Sequence, residues 1–159
     1  MTLRIYWLAA ALAVPGTVLA QEPTLRPLTE HIAGFESDSA GTARYVARRC
    51  AALYLLVADL SSSRDPELAE QYNKSVPPFL AMSARADQAL GADTPEAFEA
   101  TKTAIKGLVE VYVQRAKKNV ATTGSYFAQD RVVGADMQVC KHIADAAGAT
   151  SSQQRFPKP

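Results

Sequence analysis

The sequence predicts an all-α protein: an up-down-up-down four-helix bundle with a broken second helix (at Pro77-Pro78) and one interhelical disulfide. Three observations carry this expectation. Apolar residues recur at intervals of three and four in long stretches between residues 42 and 148, the spacing of a single helix face. Two of those stretches open on Asp65-Pro66-Glu67 and Thr94-Pro95-Glu96. Each is a capping residue, then a proline whose missing N–H costs nothing in a first turn, then an acid at the positive end of the helix dipole. Finally, the chain has two cysteines, Cys50 and Cys140, which fall on the apolar stripes of the first and last stretches.

The chain opens with a pattern of export rather than of structure. Arg4 supplies one positive charge, Ile5 to Val14 is an uninterrupted apolar run, and Val18-Leu19-Ala20 is a small-residue cleavage pattern after Pro15-Gly16. Residues 1–20 therefore read as a signal peptide cut after Ala20, leaving a periplasmic or secreted protein. An apolar run this short does not span a bilayer, so no membrane span is expected after cleavage. No cysteine follows the cut to carry a lipid anchor. Residues 21–41 contain Pro23, Pro27, Gly34 and Gly41 without a sustained period, and read as an irregular N-terminal arm with one short helical turn around Leu28 to Phe35.

The first helix is expected from Thr42 to Ser61. Val46, Cys50, Leu53, Val57 and Leu60 form its stripe, and Cys50 to Ala58 is apolar on every side, which puts this helix at the centre of a core. The second starts after Asp65, with Leu68 and Tyr72 inward before the prolines and Phe79, Met82, Ala86 and Leu90 inward after them. Proline disfavours helical geometry in the residue before it, so Val76 and Pro77 are expected outside the helix. The third runs from Pro95 to about Val120 on a stripe of Phe98, Ile105, Leu108, Tyr112 and Ala116. The fourth starts near Phe127 or Asp130 and carries Val133, Met137, Cys140 and Ala144, with Gly148 as a stop. Residues 42–148 thus form the bundle domain, and the polar residues 149–159 read as a disordered tail.

In an oxidising compartment a lone cysteine pair reads as a disulfide, Cys50 to Cys140. Antiparallel first and fourth helices would then put Val46 near Ala144 and Tyr54 near Asp136. Neither cysteine is in a Cys-x-x-Cys arrangement, which argues against thiol redox catalysis. No Cys-x-x-Cys-His, Gly-x-Ser-x-Gly or phosphate-cradling glycine pattern occurs, so the sequence offers no cofactor site. Asp136, Cys140, His142 and Asp145 have metal-binding chemistry, but an oxidised Cys140 is no thiolate and His142 lies off its stripe; no metal site is expected.

Removing Arg4 leaves 17 − 1 = 16 Lys and Arg against 16 Asp and Glu. A net-neutral chain offers no excess of cations for a phosphate backbone, so no nucleic-acid partner is expected. The local cluster Arg44, Arg48 and Arg49 reads as a solvated helix face with carboxylate partners from the same chain. The polar residues that interrupt the apolar helices, Arg49, Tyr54, Asp59 and Asp136, form the candidate polar core site.

The function expected from this inventory is a non-enzymatic binding or interaction module of the cell envelope, acting on a partner protein or a small ligand that the sequence does not specify. The alternatives are a hydrolase built on two carboxylates, Asp59 and Asp136, and a self-associating structural subunit. The sequence sets no oligomeric state and identifies no catalytic residue.

Overall fold

The computed structural model describes residues 25–32 and 39–153, with side chains described to Ala147. The expected signal peptide, and the half of the expected arm turn beyond Ile32, lie outside the described residues. Among those described, all regular structure is helical.

Four of the described helices start where a side chain accepts a first-turn N–H. A single turn, α1 (Thr29–Ile32), precedes α2 (Ala40–Ser61), which begins two residues before the expected Thr42 because Ser39 Oγ accepts the Thr42 N–H at 3.0 Å. Asp65 caps α3 (Pro66–Lys74) by accepting the Leu68 N–H at 3.0 Å. The next helix is α4 (Val76–Ala89). Asp93, rather than Thr94, caps α5 (Thr94–Thr123), accepting the Glu96 N–H at 2.9 Å. Gly124 closes α5 at φ +73°, a left-handed geometry that suits glycine, with its N–H donating to the Val120 carbonyl at 2.9 Å. Asp130 Oδ1 then accepts the N–H groups of Val132 and Val133 at 3.0 and 3.1 Å and so starts α6 (Arg131–Gln153). This last helix continues through Gly148, the expected stop.

The break in the second predicted helix lies at Ser75, ahead of the prolines. Val76 and Pro77, expected outside helical geometry, are the first two residues of α4. A helix's first N–H groups have no partner within the helix, so prolines there give up nothing, and the chain breaks before them instead of at them. Ser75 seals the end of α3: its N–H donates to the Tyr72 carbonyl and its hydroxyl to the Gln71 carbonyl, both at 3.0 Å.

Side-chain pairs give the helix directions. Arg44 and Arg48 meet Asp87 while Tyr54 meets Phe79, so α4 runs antiparallel to α2. Gln88 meets Thr94 and Asp87 meets Thr101, so α5 turns back along α4. Asp130 meets Arg115 and Asn119, and Asp136 meets Tyr112, so the first turns of α6 run back along α5.

The spine of the core is α2, as its apolar middle predicts: Val46, Ala47, Arg49 to Tyr54 and Leu56 to Ala58 are all buried. Phe79 of α4, Ile105 and Tyr112 of α5, and Val133, Val139 and Cys140 of α6 pack into the same cluster. Complete burial of side chains such as Leu53 and Val46 contributes about 1.5 to 3 kcal/mol each. The disulfide is present: Cys50 and Cys140 are bonded with their Cα atoms 5.2 Å apart, closing a span of 90 residues.

Two inward assignments are corrected. Leu90, the C-cap of α4, is 52% exposed, and Phe98 is 45% exposed because Ala97, one position before it, is the residue of the first turn of α5 that faces inward. Thr101 can approach α4 closely enough for its hydroxyl to donate to Asp87 at 3.0 Å, a position a phenylalanine could not fill. Conversely Leu28, in the arm, is completely buried. The arm is tied into the core, for the reason that follows.

Candidate functional site

Arg49 and Asp136 come together in the middle of the protein. Arg49 Nη2 donates to Asp136 Oδ2, with both side chains fully enclosed. The remaining donors of the guanidinium are also used. Its Nε donates to the Tyr112 hydroxyl at 3.1 Å, and its Nη1 donates to the Arg26 carbonyl at 2.5 Å and to the Tyr45 hydroxyl at 3.1 Å. Asp136 accepts in addition from the Tyr112 hydroxyl and, at 2.8 Å, from the Leu28 N–H. Burial alone would lower the Arg49 pKa; Tyr112 and Asp136 outweigh it and raise it, so the guanidinium stays charged. Burial, then Asp136, drives the Tyr112 hydroxyl far above the ordinary phenol range despite Arg49.

This cluster explains the buried arm. Arg26 and Leu28 offer backbone groups to Arg49 and Asp136, so residues 26–28 are held across α2 and α6 by two hydrogen bonds, the one to Asp136 buried and the one from Arg49 partly so. No buried side-chain nitrogen or oxygen among the described residues lacks a partner. The ion pair is therefore saturated by its own chain.

The other expected site residues are not part of it. Tyr54 packs edge-on against Tyr72 and Phe79, with ring centroids 4.9 and 5.4 Å away. Burial, then Tyr72 and Asp145, pushes its hydroxyl up to about 12. The acidic neighbour of Tyr54 is thus Asp145, while Asp136 belongs to Arg49, which corrects the expected approach of Tyr54 to Asp136. Asp59 is exposed near the end of α2, and its carbonyl accepts from Ser62. Asp59 and Asp136 share no contact and form no carboxylate pair: the apolar flanks of Asp59 belong to neighbouring faces of the helix, and Asp59 itself looks outward.

The basic cluster of α2 divides between two faces. Arg49 points inward, which corrects its expected place on a solvated face, while Arg44 and Arg48 reach Asp87 of α4 at 3.2 and 2.5 Å. Ser83 and Thr101 complete that second network: Arg48 Nε and Thr101 lie 3.0 and 2.9 Å from the Ser83 hydroxyl. Burial would raise the Asp87 carboxyl, but hydrogen bonds from Thr101, Arg44 and Arg48 hold it below its ordinary value. A third network surrounds Asp130, which accepts Arg115 at 2.6 and 2.8 Å and Asn119 at 2.7 Å. Here too burial is outweighed, and the carboxyl is held down at about 2. These partners were legible only as isolated acids and bases, since nothing in the spacing pairs residues on different helices.

The residues with metal-binding chemistry on α6 are engaged elsewhere. Asp136 serves Arg49, Cys140 is oxidised, His142 is exposed, and Asp145 pairs with Lys141 at 2.5 Å. Among the described residues no group of three or more His, Cys, Asp or Glu could hold a metal ion. His31 stacks on Tyr45 with ring centroids 4.9 Å apart.

A groove of about 880 Å³ opens between α2, α4 and α6. Ala40 and Ala43 line it from α2; Pro78, Phe79, Met82 and Ala86 from α4; Ile143, Ala144 and Ala147 from α6. Lys74, Ser75 and Arg85 supply its polar edge, and no carboxylate among the described residues lines it. Its volume falls within the range of about 300 to 1,000 Å³ of small-molecule sites, which are typically apolar with a few polar groups. The sequence signal for it was slight: Ala86 and Ala144 read as ordinary inward positions, and nothing marked Ala40 or Ala43. No protein-family model, curated protein or solved structure matches the chain.

Proposed function

We propose that this chain is an exported, non-enzymatic binding module of the cell envelope that holds a small apolar ligand in the groove between α2, α4 and α6. The observation that carries the reading is the contrast between the three polar networks and the groove. The Arg49, Asp87 and Asp130 networks are saturated by their own chain and offer no group for catalysis. The groove instead presents apolar surface with no internal partner among the described residues. The disulfide supports an oxidising compartment, and no described helix is long and apolar enough to cross a membrane. Cleavage after Ala20 and an up-down-up-down arrangement, with α3 and α4 together as the second member, belong to the same reading.

Titrating the oxidised chain from Gln21 onward with the neutral dye Nile red tests this. Saturable fluorescence enhancement is expected, and its loss in Ala144→Trp and in Ala81→Trp, each filling the groove from a different helix. Enhancement that is absent, or that survives both substitutions in variants with unchanged melting temperature, overturns the reading.

A further inference from the structure

We infer that the groove takes a single-chain amphiphile with an anionic head group, the head held by Arg85 and the acyl chain lying along α4 toward Pro78. This rests on the groove being the binding site, and it adds the chemistry of the occupant.

The apolar part of the argument comes from size and shape. Alanines at 40, 43, 81, 86, 144 and 147 let an occupant approach three helices closely. Polar residues stand only at the ends: Lys74 and Ser75 at the α3–α4 break, and Arg85 about three turns further along. From Val76 to Arg85 the rise of α4 is roughly 14 Å, a length suited to an extended alkyl chain. With no polar group converging on the middle, nothing there would satisfy a hydrogen-bonding ligand. Met82, midway, is the side chain best able to adapt to a flexible tail.

The charge argument selects the head group and its position. Arg85 is exposed and makes no ion pair among the described residues, unlike Arg44 and Arg48 nearby, which are both committed to Asp87. It stands three residues after Met82 and seven after Pro78, on one face of α4. A guanidinium there, with no carboxylate among the described residues that line the groove, gives the rim a planar cation that matches a carboxylate or phosphate fork. Lys74, at the other end, already pairs with Glu70 at 2.6 Å.

Displacement of Nile red by dodecanoate, dodecyl phosphate and dodecanol, all below their micelle concentrations, tests the assignment. Both anions are expected to bind roughly three- to tenfold more tightly than the neutral alcohol. Affinity is expected to rise roughly two- to fourfold per added methylene until the groove is filled. The ratio between carboxylate and phosphate distinguishes a free fatty acid from a lysophospholipid-like head. Arg85→Gln should bring the anions to the affinity of the alcohol without moving the melting temperature, and Lys74→Gln should leave their advantage in place. Equal binding of dodecanoate and dodecanol, or an advantage that survives Arg85→Gln, overturns the head-group assignment while Nile red binding still supports the groove. If Nile red itself fails to bind, both readings fall together.

Discussion

Arg49 and Asp136, 87 residues apart in sequence, share a hydrogen bond in the interior with neither side chain touching solvent. Taking one partner away strands the other in a medium that does not solvate charge. Asp136→Ala is therefore expected to cost roughly 3 to 5 kcal/mol, read as a lower urea midpoint with an unchanged slope. Asp136→Asn should cost less, because an amide oxygen can still accept the Leu28 N–H. The Arg49→Met, Asp136→Leu double variant should be less damaged than Asp136→Ala, since it leaves no unpaired charge. A double variant less stable than Asp136→Ala would show that the cluster acts through its hydrogen bonds to Leu28 and Tyr112, and not through the ion pair.

The same pair shows how far sequence reading reaches. Both residues stood out as polar interruptions of apolar helices, which is a local signal, and both proved to be buried. Asp59 gave the same signal and is exposed, because an interruption near a helix end can turn outward while the same residue type in mid-helix cannot. Periodicity located the helices and the spine. The cysteine pair fixed one contact between them. Pairings such as Asp87 with Arg48, or Leu28 with Asp136, depend on how helices cross, and no spacing within one helix encodes that. The groove was illegible for a related reason: its alanines line it only because α2, α4 and α6 leave a gap between them.

Acid should weaken the fold in a specific window. Asp130 is held at about 2 in the folded protein against an ordinary value of 3.8, and Asp87 is also lowered. A depressed carboxylate contributes its full stability above the unfolded value and loses it as pH falls through the folded one. For Asp130 that window lies between about pH 4 and pH 2, with a loss on the order of 2 kcal/mol. Urea midpoints across this range should fall for the wild type and fall less steeply for Asp130→Asn, which begins less stable at pH 7. Identical slopes for the two proteins would rule out Asp130 as a source of the acid loss.

The disulfide closes a span of 90 residues, and on the chain-entropy account it contributes at most about 4 to 5 kcal/mol. Cys50 follows Arg49 directly, and Cys140 lies one turn after Asp136, so the covalent and ionic links hold the same crossing of α2 and α6. Replacing both cysteines by alanine should therefore couple to Asp136→Asn. Urea denaturation of the two variants and their combination is expected to give a non-additive result, because loosening the crossing by either route weakens the other. Strict additivity would mean that the crossing is held by the surrounding apolar packing instead.

At the alkaline end the tyrosines set the limit. Burial, then Tyr72 and Asp145, pushes Tyr54 up to about 12, and Tyr112 lies higher still. A raised folded value means that the contribution is complete below the ordinary phenol value of 10.0 and is lost as pH rises through the folded one. The protein should therefore hold its stability to about pH 9 and lose it between about pH 10 and pH 12. Tyr54→Phe keeps the edge-on packing against Tyr72 and Phe79, so it should cost little at pH 8 and reduce the alkaline loss. Tyr112→Phe removes the hydroxyl that both donates to Asp136 and accepts from Arg49, and should already cost roughly 1 to 3 kcal/mol at pH 8. Phenolate absorbance supplies the independent readout. In the wild type the phenolate signal that Tyr54→Phe and Tyr112→Phe remove should appear only with unfolding; its appearance with the fold intact would sink this account.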